Sequence, residues 1–320
     1  LLALITGRAQ LDFDYWWAAT RVIPGAINEF PFFTFLFADL HPHLINLPYT
    51  VLTLALVSDM ARAEDRWLAP DLARWAALAG VLGALGAINT WDLPAYWGIA
   101  AACLLWTGWR SGRLRGLIVA GGGVVAVSLV AFLFYSPFYA HYRPQHLLGL
   151  GLVPAALRAR PAAMAAIWGM LLFLTFSVLL WEWRCCAPWR LVAMAVRRGW
   201  HRTWRRLAAF RPGVAARWLC AALALGIFGV AVWLAVNGEA VLSALWLGLA
   251  LATWALWRNL SQRRAPIFLL IAAGLAILLG TEVVYLRDFM DGGEWQRMNT
   301  VFKFGLQAWV LLGLSAGAFL

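Results

Sequence analysis

Residues 266–286 read PIFLLIAAGLAILLGTEVVYL, and Glu282 is the one charged residue among them. At about 1.5 Å of rise per residue such a run is long enough, as a helix, to cross the roughly 30 Å hydrocarbon core of a bilayer. Comparable apolar runs lie at 44–60, 73–91, 94–109, 115–136, 163–183, 218–236 and 240–257, and two more occupy the two ends of the chain.

Over its 320 residues the chain is 63% hydrophobic and 13% charged, with a mean hydropathy of +0.74. That is too apolar for one soluble core. The expectation is an all-α polytopic bundle of transmembrane helices, one integral membrane domain over residues 1–320. The chain opens inside the apolar run LLALITG without an initiator Met or a basic leader and stops within another, so it reads as a piece of a longer protein.

Four cysteines, two within apparent spans and two adjacent in a basic loop, imply neither a disulfide framework nor a thiolate metal site. The net charge of +11 sits in loops that border spans, so membrane topology explains it and a nucleic-acid partner is not expected.

Alternate loops carry that charge. RAEDRWLAPDLAR (62–74), RSGRLR (110–115), segment 184–217 and RNLSQRR (258–264) hold eighteen of the 26 Lys and Arg residues. By the positive-inside rule they face the cytoplasm. The basic segment 184–217 contains WRLVAMAVRRGWHRTWRRL, which reads as an interfacial helix against anionic lipid.

Residues 8–43, the turn near Asp92, 137–162, 237–239 and 287–303 then lie outside, between helices at 44–183 and 218–320. Ten of the 15 acidic residues map to this outer side or just beneath it, so it is expected to be the working face.

The outer loop 8–43 ends in FADLHPHLINLP (37–48). If extended, Asp39, His41 and His43 project to one side; if helical, only Asp39 and His43 share a face. Pro42 fits the first turn of the following span, which places Asp39 and His41 at its positive end. The set His-x-His beside a carboxylate could hold a divalent cation. The plainer alternative is a helix-capping Asp with two interfacial histidines. Upstream, LDFDYWW and INEF add Asp12, Asp14 and Glu29, and FPFFTFLF, too short to span, is expected to lie along the membrane surface.

In NTWDLP, Asp92 precedes Pro94 by two residues and reads as an N-cap. HYRPQH offers Arg143, whose planar fork suits a phosphate or carboxylate. Glu282 interrupts its span near the outer end, where a charge needs a partner or a wet cavity, and Arg287 is the partner nearest in sequence. Beyond it, Asp288, Asp291, Glu294, Arg297, Asn299 and Lys303 mix acids and cations, with Arg297 and Lys303 suited to an anionic headgroup. No Walker loop, dinucleotide-binding glycine pattern, HExxH or GxSxG is present.

Three blocks, INEFPFFTFLFADLHPHLINLP (27–48), NTWDLPAYWG (89–98) and EVVYLRDFMDGGEWQRMNTVFKFGLQAWVL (282–311), resemble the YYY membrane proteins, a family grouped with the C-type (GT-C) glycosyltransferases. The resemblance implies a multi-span helical enzyme that takes a sugar from a polyprenyl-phosphate carrier at the outer face, with an acidic catalytic residue in the first outer loop. Segment 8–43 occupies that place. The paired-acid motif of better-known members is not plain here, so Asp12 with Asp14, or Asp39 with the histidines, would stand in.

On this reading Asp39 is the leading general base or metal ligand, with Asp14 and Glu282 as further acidic candidates. His41 and His43 would bind a divalent metal ion or orient Asp39. Arg143, Arg297 and Lys303 would hold the lipid phosphate, and Asn299 and Asp92 would line the substrate site. The rival reading is an ion-coupled transporter using the same acids and histidines. Sugar and acceptor stay open.

Overall fold

A computed structural model describes residues 6–7, 15–28, 30–38, 40–62, 72–143, 148–184 and 214–319, without the side chains of 15, 16 and 214–221. The order is α1 (Tyr15–Ala18), α2 (Pro31–Phe37), α3 (Pro42–Arg62), α4 (Leu72–Ile88), α5 (Leu93–Phe134), α6 (Ser136–His141), β1 (Gly149–Leu152), α7 (Pro161–Arg184), α8 (Val214–Val236), α9 (Ala240–Asn259), α10 (Ala265–Val283), β2 (Val284–Arg287) and α11 (Met298–Gly317). The chain is an all-α polytopic membrane protein apart from this two-stranded ribbon. Among the described residues, α3, α5, α7, α9, α10 and α11 are long and apolar enough to cross a membrane.

The starts of these helices follow local chemistry. Pro31 and Pro42 begin α2 and α3, and α5 and α10 carry a proline in their first two positions, where a missing N–H costs nothing.

Helix α5 is a hairpin, as the separate runs 94–109 and 115–136 require. Gly112 (φ −148°) and Arg113 (φ 51°) leave helical geometry and turn the chain back on itself. Trp97 Nε1 donates to Ser128 Oγ at 2.9 Å across the two arms. A Cβ on Gly108 or Gly116 would run into the backbone of the other, so the close crossing needs both glycines.

One boundary differs from expectation. The apolar run 266–286 is helical only to Val283, and residues 284–287 pair as a strand antiparallel to β1, Leu150 opposite Leu286. Val284 and Tyr285 suit a strand, and the partner GLGL leaves room at Gly151, where a Cβ would meet the Tyr285 ring at 2.5 Å.

Two apolar clusters build the core. One gathers Leu78, Leu82, Leu85, Ile99 and Leu104 of α4 and α5 with Val57 of α3. The other gathers Trp168 of α7, Leu245 of α9, Phe268 and Leu275 of α10, and Leu312 of α11. Helix α11 joins them: Leu311 belongs to the first cluster, and Leu306 and Val310 pack on Leu47 of α3.

The bundle has two distinct ends. The starts of α3 and α5, the ribbon and the start of α11 share the ribbon end; Arg110, Arg113, Arg258, Arg263 and Arg264 lie at the opposite, basic end. The basic segment 185–213 lies outside the described residues.

Candidate functional site

The site forms where α11 closes the seam between the two clusters at the ribbon end. His43 and Asn46 are buried one turn apart on α3, the spacing that puts two side chains on one helix face. Asn46 Nδ2 donates to Asp92 Oδ2 at 2.7 Å and to the Leu85 carbonyl at 3.3 Å. Asn89 Nδ2 donates to Asp92 Oδ1 at 3.0 Å, and Gln307 Nε2, from α11, donates to the same oxygen.

Asp92 occupies the N-cap position of α5, as its place before Pro94 predicts, yet its side chain makes no capping bond. A carboxylate only 1% exposed needs strong donors, and amides from three directions supply them. Burial pushes its carboxyl up to about 6, against the opposing pull of the Asn46 and Asn89 hydrogen bonds and of nearby His43 and Lys303.

Beside it, the rings of His41 and His43 stand 5.1 Å apart between centroids, although His41 precedes α3 and His43 lies within it. Both meet Phe302 edge-on, at 6.3 and 4.9 Å. Lys303 Nζ sits 5.2 Å from the centroid of the same ring, and Trp91 contacts Phe304 at 6.0 Å. The structure thus brings His41, His43, Asp92 and Lys303 into one neighbourhood. Asp14 and Asp39, with Asp12 and Glu29, lie outside the described residues. No group of three His, Cys, Asp or Glu placed to hold a metal occurs among the described residues.

A second polar layer holds the loop between β2 and α11. Arg297, wholly buried at the start of α11, grips Glu282 with both arms of its fork, at 2.6 and 3.2 Å. The Ala159 N–H donates to the same carboxylate at 2.7 Å. Arg287, the partner nearest in sequence, instead stands 3.7 Å from Asp291. Asn299 Nδ2 donates to Asp288 at 2.7 Å, and the Tyr285 hydroxyl donates to Asp291 at 2.6 Å. Glu282 and Arg297 therefore bond to each other, and Asn299 bonds to the loop. Arg143 follows α6 in an exposed stretch, and among the described residues no bond ties it to this site.

Next to the cluster is an apolar cavity of about 240 Å³ between the ribbon, α10 and α11, lined by Leu150, Ile277, Tyr285, Leu286, Thr300 and Phe304. The residues that sequence reasoning passed over are Asn46, Gln307 and the Ala159 amide. A buried Asn or Gln inside an apolar helix was the available signal for the first two; the third is a backbone group and leaves no trace in sequence.

No curated protein and no solved structure is similar enough to match. A protein-family model does match, over residues 2–312, and its family is described as "Uncharacterized membrane protein (DUF2298)". Nearly the whole chain falls within that match, six of its helices are fit to span a membrane, and the chain belongs to this family of membrane proteins.

Proposed function

We propose that the chain is a membrane glycosyltransferase that takes a sugar from a polyprenyl-phosphate-linked donor at the outer membrane face. One observation carries the reading: α11 offers Lys303 to the polar cluster of His41, His43 and Asp92 while its Thr300 and Phe304 line the adjoining apolar cavity. A lipid phosphate is a ligand with those two parts, an anionic head and a hydrocarbon tail. The likeness of three sequence blocks to proteins grouped with the GT-C enzymes supports the same reading, and the charge bias of the loops supports an outward-facing ribbon end.

In this mechanism a hydroxyl oxygen of the acceptor attacks the anomeric carbon of the donor. The bond from that carbon to the phosphate oxygen breaks, and polyprenyl phosphate leaves with the bonding pair. Asp39 takes the hydroxyl proton, while Lys303 meets the negative charge that builds on the leaving phosphate. His41 and His43, with centroids 5.1 Å apart, are near enough to share a divalent cation, to which Asp39, two residues before His41 in the sequence, would add a carboxylate; such an ion would add positive charge beside the phosphate. Asp92 and its amides hold α3, α5 and α11 in register, and the Glu282–Arg297 pair anchors the loop between β2 and α11.

The transporter reading needs polar groups near the middle of the bundle. Here the charged side chains of the described spans lie toward the helix ends, and Leu82, Leu275 and Leu311 are among the buried residues between them, which favours the transferase.

Binding tests the proposal. A photoreactive polyprenyl phosphate added to the purified protein in nanodiscs should label the cavity wall near Phe304, and Lys303→Gln should weaken labelling several-fold. Labelling spread evenly over the lipid-facing helices, unchanged by Lys303→Gln, would count against it.

A further inference from the structure

Helix α10 ends at Val283 and β2 begins at Val284. At about 1.5 Å per residue the 19 residues of α10 rise about 28 Å, close to the hydrocarbon thickness of a bilayer. The β1–β2 ribbon therefore starts where a membrane span stops, at the boundary between hydrocarbon and headgroups.

The two faces of the ribbon are unlike. Pairing sets Leu150 opposite Leu286, Gly151 opposite Tyr285 and Leu152 opposite Val284, and side chains directly opposite each other share a face. The face of Gly151 and Tyr285 is turned into the protein: Tyr285 is 5% exposed, and Val153, next in that alternation, 1%. The other face carries Leu150, Leu152, Val284 and Leu286. Leu148, whose N–H donates to the Arg287 carbonyl, continues it. Leu148, Leu150 and Leu152 are 65%, 67% and 75% exposed. An antiparallel sheet beside water puts polar side chains on its open face; this ribbon puts leucine there. Phe289, two residues past β2, is largely exposed as well.

The apolar cavity of about 240 Å³ adjoins this face. Leu150, Val284 and Leu286 line it, together with Ile277 and Gly280 of α10 and Phe304 of α11. Leu150 lines the cavity and is at the same time largely exposed, which puts the cavity mouth on the leucine face.

Among the described residues the sheet has two strands, so β1 keeps an open edge of backbone N–H and C=O groups. Hydrocarbon does not tolerate such an edge. A backbone at headgroup level with its leucines reaching toward the lipid chains meets both demands, as in an interfacial anchor.

We infer that the leucine face lies against the lipid chains of the adjoining leaflet and that the cavity opens sideways through it, so that a lipid chain enters from the bilayer. The occupant follows from continuity. Ile277 and Gly280 belong to a membrane span, and the ribbon leucines carry its apolar surface on to the cavity mouth. The inference rests on the proposed function only in taking this cavity as a site for a lipid tail; the route of entry is an addition to it.

Spin labels in phosphatidylcholine nanodiscs test the route. With the four native cysteines replaced by alanine, one nitroxide is attached at Leu148→Cys, Leu152→Cys or Ile277→Cys. Dissolved oxygen, which concentrates in hydrocarbon, should relax each label several-fold more than a water-soluble nickel chelate does. Stronger relaxation by nickel at residues 148 and 152 would place the face in water. Weak relaxation by both reagents there would mean that a second copy or another protein covers it. At residue 277, weak relaxation by both would mean a sealed cavity, and stronger relaxation by nickel a cavity open to water. Each of these results would overturn the inference. None of them depends on sugar transfer, so a failure here is distinct from failure of the transferase reading, which labelling by the photoreactive polyprenyl phosphate decides.

Discussion

Asn46 Nδ2 lies 2.7 Å from Asp92 Oδ2, and this bond joins the second turn of α3 to the start of the α5 hairpin. Gln307 reaches the other carboxylate oxygen from α11, so one buried carboxyl group ties together three helices that are far apart in sequence. The rings of His41 and His43 rest on Phe302, five residues before Gln307 on α11. The position of the histidines therefore depends on that tie.

The Asp92 carboxyl gives the protein a specific pH dependence. Its folded value is raised by burial from an ordinary 3.8 to about 6, so between those values the folded state holds a proton that the unfolded state has released. The stabilisation is complete below pH 3.8 and is lost as the pH rises through 6. Thermal unfolding in detergent should show the melting temperature falling from pH 4 to pH 6.5, and Asp92→Asn should flatten that slope. A variant with the wild-type slope would show that another group is responsible.

Glu282 and Arg297 form an ion pair without access to solvent on the arginine side. Removing one partner of such a pair strands the other charge, at a cost of about 3–5 kcal/mol. Glu282→Gln should therefore lower stability by that order, and Glu282→Leu combined with Arg297→Leu should recover most of it. Chemical denaturation of the three proteins checks this; a loss under about 1 kcal/mol for Glu282→Gln would mean that the pair is open to water.

The α5 hairpin depends on the contact of Gly108 with Gly116. A leucine at residue 116 has no space between the arms, and overpacking of this kind costs about 1–3 kcal/mol. Gly116→Leu should lower the melting temperature by several degrees. Gly121→Leu, at a position where a Cβ meets nothing within 4 Å, should leave it nearly unchanged. If the two variants melt alike, the arms are not in contact at residue 116.

Much of the fold is legible in the sequence, because a bilayer demands runs of fixed length and each run here is written plainly. The apolar stretch 240–257 appears as α9 within two residues, and RSGRLR marks the turn of the α5 hairpin. The strand at 284–287 is harder to read: its residues are as apolar as a span, and only pairing with a four-residue partner more than a hundred positions earlier makes it extended.

The site is legible in part for similar reasons. Asp92, His41 and His43 stand out as polar residues at the edges of apolar runs. The partners of Asp92 do not, since Gln307 is 215 residues away and no local pattern encodes that contact. Glu282 has the same property: Arg287 is nearer in sequence, yet Arg297 is the residue that a helix start and a loop carry beneath it.

The measurement that bears most directly on the proposed activity is release of free polyprenyl phosphate. Wild-type protein in liposomes would be supplied with a panel of polyprenyl-phosphate-linked sugars and membrane extract as acceptor, with mass spectrometry following the lipid. The account predicts release with at least one donor, its loss in Asp39→Asn, and a several-fold fall in Lys303→Gln, with all three proteins equally folded. No release from any donor, or equal release by wild type and Asp39→Asn, would contradict it.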